Sequence, residues 1–294
     1  LFRRVKGVLY TRERIFTQDG DFLDLDWSRQ GGRSLAIIGH GLEGCSTQSY
    51  ILGMVQALNQ AGWDTLSWNF RGCSGELNYS AGLYHAGSFE DLQQVIDHAL
   101  RTGVYDTVAL VGFSLGGHLI LKYLGELGEQ IPQEVARAVV FSVPCDIKSC
   151  VETLARSFNR IYLRRFLTTL KSKMMVKAKQ FPHLFHHIDI SKIHDFFAFD
   201  SHFTVPLWGY RDLLHYYEAC SCKHAIARIR VPTLIVNSKN DPFLNEQCYP
   251  VAECTASQPV VLELTKQGGH MGFIKDSVNG RYWSEERAVD FLAA

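Results

Sequence analysis

Seven residues, Thr107 to Phe113 (TVALVGF), are apolar at nearly every position and run without a linker into Ser114-Leu115-Gly116-Gly117 and a helix-spaced segment, GHLILKYLGELG. A strand with no polar face is buried on both sides. Strands of that kind lie in parallel sheets covered by helices, because parallel neighbours are joined by crossovers of a dozen or more residues. The rest of the chain repeats the arrangement. SLAIIGH (34–40) and WDTLSWNF (63–70) read as strands. Tyr50, Ile51, Met54, Val55 and Leu58 recur at helical spacing between them, and SFEDLQQVIDHAL opens a further helix with Ser88 as its N-cap. At the start, TRERIFTQ and DFLDLDWS read as a hairpin turning at Asp19-Gly20. The fold class is therefore α/β, a mostly parallel central sheet flanked by helices.

The next two strands, ARAVVFSVP (136–144) and VPTLIVNS (231–238), are about ninety residues apart, far more than a crossover needs. An insertion lies between them. Leu154, Phe158, Ile161, Tyr162, Phe166, Leu170 and Met174 recur at helical spacing, so a helical cap is expected over approximately 146–209. VVLELTK (260–266) supplies the last strand and WSEERAVDFLA the last helix. With no internal repeat or low-complexity linker, residues 1–294 read as one domain with a lid.

Thirty basic residues balance thirty acidic ones. Neutralising phosphates calls for a basic excess, so the balance argues against nucleic acid as a partner. No apolar run approaches the roughly 18–20 residues that cross a bilayer, and no signal-peptide pattern is visible. The chain begins at Leu1 and not at methionine, which leaves room for a preceding segment or anchor. Its eight cysteines are scattered and read as free thiols, which goes with a cytoplasmic location. Cys220, Cys222 and His224 lack the usual spacing of a metal site, as do His183, His186 and His187, and no metal or organic cofactor is implied.

A lone Gly-x-Ser-x-Gly is a weak signal, because turns favour both residue types. Its setting is what gives it weight. A nucleophile held at a strained strand-to-helix turn needs small residues two before and two after it, and Gly112 and Gly116 occupy those places around Ser114. A serine hydroxyl also needs a base, and the base needs a partner that fixes its tautomer. Asp241 follows the strand ending near Asn237, and His270 follows the strand ending near Lys266. The order Ser114, Asp241, His270 is the one this architecture requires. Developing oxyanion charge calls for two backbone donors. The N–H of Leu115 is one, and Leu42 in HGLEG (His40 to Gly44) offers the other, with Gly41 allowing a close approach. His40 is expected to brace that loop. Glu43 and Arg71 read either as a pair joining the loop to NFRGCSG or as two independently solvated charges.

HGLEG, NFRGCSG, LYHAG, GFSLGG, KNDPF and GGHMGF, in this order, resemble the YheT-like α/β-hydrolases, relatives of abhydrolase-domain lipases and plant embryogenesis-associated proteins. The resemblance covers nearly the whole chain. It implies the α/β-hydrolase fold, places Ser114, Asp241 and His270 at the catalytic-triad positions, and points to hydrolysis of carboxylic esters, including acylglycerol or other lipid esters. An acyltransferase using the same acyl-enzyme, and a binding protein on the same fold, are the competing readings. The oligomeric state is not legible.

Between Arg156 and Lys179 stand eight basic residues (Arg156, Arg160, Arg164, Arg165, Lys171, Lys173, Lys177, Lys179) and no acidic one. One reading is a cationic lid that makes peripheral contact with membranes or takes an acidic substrate. The other is the solvated outer face of a helix packed by its apolar side.

Overall fold

In the computed structural model, residues 3–274 and 280–293 are described. Eight strands form one sheet in the order β1-β2-β4-β3-β5-β6-β7-β8. The strands are β1 (Thr11–Phe16), β2 (Phe22–Ser28), β3 (Ser34–Gly39), β4 (Asp64–Trp68), β5 (Thr107–Phe113), β6 (Val135–Phe141), β7 (Thr233–Ser238) and β8 (Val260–Thr265). From β3 to β8 every neighbouring pair is parallel, while β2 pairs antiparallel with both β1 and β4. The first hairpin turns where Asp19-Gly20 predicts. Gly20 takes a left-handed φ of 78°, and its N–H donates to Thr17 O.

The buried strand explains the two-sided core. Val108 and Leu110 of β5 face one apolar cluster, and Ala109, Val111 and Phe113 face the other. Helix α1 (Ser49–Gln60) covers the second face with Ile51, Met54, Val55 and Leu58, joined there by Ala288 and Leu292 of the last helix. Helices α2 (Phe89–Arg101) and α3 (Leu115–Leu127) cover the first. Ser88 precedes α2 as expected but does not cap it with its side chain. Its hydroxyl instead accepts the His85 N–H at 3.0 Å, closing the turn before the helix, and Glu90 and Asp91 place negative charge in the first turn.

A helical insertion stands between β6 and β7, and its helices continue past residue 209 to Cys220. It comprises α4 (Ile147–Leu154), the long α5 (Arg160–Gln180), three short helical turns, α6 (Pro182–Phe185), α7 (Phe196–Phe199) and α8 (Val205–Leu207), and then α9 (Leu213–Cys220). Its two ends meet at the sheet, where Lys223 N–H donates to Cys145 O at 3.1 Å. A short α10 (Val251–Thr255) precedes β8, and α11 (Trp283–Ala293) ends the fold. Among the described residues, no helix is long and apolar enough to cross a membrane.

Candidate active site

Ser114 sits between β5 and α3 at φ 50° and ψ −118°, a backbone state that non-glycine residues adopt only under strain. The turn is held at both ends. Ser114 N–H donates to Phe141 O at 2.8 Å, and His118 N–H donates to Ser114 O at 2.9 Å. The flanking glycines are a steric requirement: a Cβ on Gly116 would lie 2.5 Å from the backbone of Gly39, and one on Gly112 would lie 2.5 Å from Gly117 Cα.

His270 arrives on the loop after β8, and its Nε2 lies 2.9 Å from Ser114 Oγ. Its Nδ1 lies 2.8 and 3.1 Å from the two carboxylate oxygens of Asp241, which follows β7. A carboxylate only accepts, so Nδ1 carries the proton and Nε2 is left to accept the serine O–H. Asp241 is buried, and its Oδ1 also accepts the Phe243 N–H at 2.9 Å. The Phe243 ring lies 4.3 Å from the imidazole, centroid to centroid, and shields it from solvent. Gly269, at φ 60°, makes the bend in the histidine loop, and its N–H donates to Asn240. The structure thus brings together Ser114, Asp241 and His270.

The loop after β3 closes over the serine. A Cβ on Gly41 would stand 3.3 Å from Ser114 Cβ, so the backbone carrying Leu42 passes directly beside the hydroxyl. Leu115 opens α3, where first-turn N–H groups have no partner within the helix. His40 is buried beneath this loop. Its Nε2 accepts the Phe70 N–H at 3.1 Å, which leaves Nδ1–H to donate to Gly41 O at 2.7 Å. Burial pulls its pKa down to about 4, so it stays neutral and serves as a brace. Tyr50 completes the support, its hydroxyl accepting the Gly41 N–H at 3.0 Å.

Glu43 and Arg71 depart from both sequence readings: they neither pair with each other nor stand in solvent. Arg71 is buried and forks onto Asp91 at 2.7 and 2.9 Å, and it reaches Asp19 at 2.6 Å, tying its loop to α2 and to the first hairpin. Glu43 takes a cation from the cap instead, Lys173 Nζ, at 2.8 Å. It also accepts the Tyr84 hydroxyl at 2.7 Å, while that same oxygen accepts the Glu43 N–H at 2.8 Å. The physical reason is distance along the fold: α2 places Asp91 beside Arg71, and α5 passes over Glu43. Sequence reasoning missed Lys173, Tyr84 and Phe243. Tyr84 lies in the LYHAG motif and Phe243 two residues after Asp241, but nothing local in the sequence marks Lys173 among its basic neighbours.

Helix α5 also reaches the histidine. Tyr162 and Phe166 pack against Phe243 with ring centroids at 4.9 and 6.2 Å. The surroundings of His270 are thus aromatic and apolar on the cap side. Among the described residues, no group of three or more His, Cys, Asp or Glu side chains could hold a metal ion.

A mostly parallel, two-sided sheet with a strained serine where a central strand enters a helix defines an α/β-hydrolase. Residues 32–275 match the Hydrolase_4 family, described as serine aminopeptidase, S33, and the chain belongs to that family. It is 35% identical over 300 residues to YheT of Escherichia coli (strain K12), a protein named as a candidate esterase, covering 99% of this chain and 87% of that one. Against the mouse phospholipase ABHD3 it is 31% identical over 281 residues, 91% of this chain and 67% of the relative. The Pyrococcus furiosus esterase Pf2001 superimposes with a TM-score of 0.64 at 16% identity, over 97% of this chain and 92% of that one, a likeness of fold alone. The YheT-like resemblance carried by the motifs is therefore borne out, and the protein is an α/β-hydrolase of the esterase and lipase type.

Proposed function

We propose that the protein hydrolyses carboxylic esters through an acyl-enzyme on Ser114, and that its substrates are lipid esters. The observation that carries this reading is the chain of contacts from Ser114 Oγ through His270 to buried Asp241. As Oγ attacks the ester carbonyl, its proton passes to His270 Nε2, and Asp241 stabilises the imidazolium through Nδ1–H. The N–H groups of Leu42 and Leu115 hold the oxyanion. Collapse of the tetrahedral intermediate expels the alcohol, which takes the proton from His270. Water then attacks the acyl-enzyme by the same steps in reverse roles.

Two lines favour lipid esters over the peptide bonds that the family description suggests. The cover over His270 is built from Phe243, Tyr162 and Phe166, which suit an acyl chain. Relatives matched along most of this chain are named as an esterase and a phospholipase.

The test is fluorophosphonate labelling of wild type and Ser114→Ala, followed by a panel of acyl esters and matched amides. Wild type labels and prefers longer acyl esters, whereas the variant loses about a million-fold in turnover. Equal labelling of the two proteins overturns the role of Ser114, and a preference for the amides overturns the substrate class.

A further inference from the structure

Helix α5 buries Leu163, Leu167, Leu170 and Met174 on one side, and its other side is uncovered. Three of its basic residues turn inward. Lys171 donates to Ile193 O at 2.8 Å, Lys173 to Glu43, and Lys177, fully buried, to Ser80 O at 2.6 Å. The remaining five of the stretch, Arg156, Arg160, Arg164, Arg165 and Lys179, are exposed and, among the described residues, make no ion pair. Large apolar side chains stand between these cations. Ile161 is 81% exposed, Phe158 in the preceding turn 62%, and Met175 50%. Single exposed apolar residues are ordinary on a soluble protein. Here Ile161 and Met175 lie on the exposed side of α5 and Phe158 in the turn before it, in a stretch from Arg156 to Lys179 that holds no carboxylate.

We propose that this face of the cap docks on the surface of an anionic lipid bilayer. Charge complementarity selects the occupant: on a chain with no net charge, these five unpaired cations are gathered in one place and match a negative lipid surface. The apolar side chains select it further, because a nucleic acid would have no use for the aliphatic Ile161 and Met175, whereas a headgroup boundary accepts both. A cavity of about 800 Å³ opens on the same side, with Leu163 and Leu167 in its floor and Arg160, Arg164 and Lys171 around it. Asp195, which also lines it, accepts the Ala198 N–H through Oδ1 as the cap of α7, and is outnumbered there by Arg160, Arg164 and Lys171. The space suits a lipid phosphate and the start of its acyl chain. Tyr162 and Phe166 of the same helix touch Phe243, so docking sets the cover of the catalytic site against the lipid. Binding stands apart from the hydrolytic reading; the delivery of a lipid ester to Ser114 rests on it.

The experiment is co-sedimentation of the full chain, as wild type and as Ser114→Ala, with phosphatidylcholine vesicles with and without added phosphatidylglycerol. Both proteins bind only the anionic vesicles, and binding weakens as salt is raised. Ile161→Asp, and separately Arg164→Glu with Arg165→Glu, lower the partition at least about tenfold. Ile161→Asp keeps its circular dichroism and its turnover of a water-soluble short-chain ester. No binding, or equal binding to both vesicle types, overturns the proposal. So does a dimer in solution that Ile161→Asp dissolves, since a second copy would then own the face. Vesicle binding by a wild type that hydrolyses no ester leaves docking intact and removes the hydrolytic reading alone.

Discussion

Lys173 Nζ, on the cap, lies 2.8 Å from Glu43 Oε1, in the loop that carries Leu42. Both side chains are largely buried, so each is the other's main compensation for lost water. The pair makes the seat of the cap and the position of the Leu42 N–H one mechanical unit.

Cutting this pair leaves a buried charge alone. Lys173→Met and Glu43→Gln should each cost about 3 kcal/mol in urea unfolding, and the double substitution should cost clearly less than their sum. If the Leu42 N–H is an oxyanion donor, as proposed, it acts in the transition state, and Lys173→Met should lower kcat more than it raises KM, with partial rescue by Lys173→Arg. Additive losses in stability, or a change confined to KM, would refute the coupling.

Gly116→Ala tests the turn beneath the serine. The new Cβ would meet the Gly39 backbone at 2.5 Å, and rigid main chain cannot step aside. A loss of about 3 kcal/mol is expected in thermal unfolding, with esterase activity falling in parallel. A variant of wild-type stability would show that β3 and α3 are less tightly joined than these contacts imply.

Acid should loosen the molecule through His40 and His85. Burial holds their pKa values near about 4 and about 3, and a ring nitrogen of each accepts a backbone N–H, from Phe70 and from Gly87. Unfolded histidine binds its proton near 6.5, so between there and pH 4 the unfolded state holds more protons. Their stability contribution is complete above about pH 6.5 and is lost as pH falls. Urea midpoints measured from pH 7.5 to 5 should decline, and His85→Gln, which keeps an acceptor without a titration, should decline less steeply.

Asp200, in the cap, has the opposite sign. Burial pushes its carboxyl up to about 7, between the hydroxyls of Thr204 and Tyr217. The unfolded carboxyl ionises near 3.9, so across the interval the native state holds more protons and stability falls as pH rises. Asp200→Asn should therefore melt higher than wild type at pH 8 and close to it at pH 5.

Much of this was legible in the sequence, for reasons that lie in particular residues. TVALVGF identifies a central strand because both its faces are apolar, and Ser114, Asp241 and His270 are readable because each follows a strand end. The partners of Glu43 and Arg71 were not. Side-chain pairing between elements far apart in the chain depends on how helices cross, and neither charge carries a mark of its partner. The Ser88 N-cap failed more locally: a serine hydroxyl can serve more than one backbone donor, and here it takes the His85 N–H of the preceding turn and not one of the helix.

The insertion leaves the sheet after β6 and returns where Lys223 meets Cys145, so its two ends are neighbours. An insert with adjoining ends can be exchanged for another without re-registering β6 against β7. Selection could therefore retune what the enzyme takes in while the serine's turn stays as it is, on one condition. Any replacement must bring its own cation to Glu43.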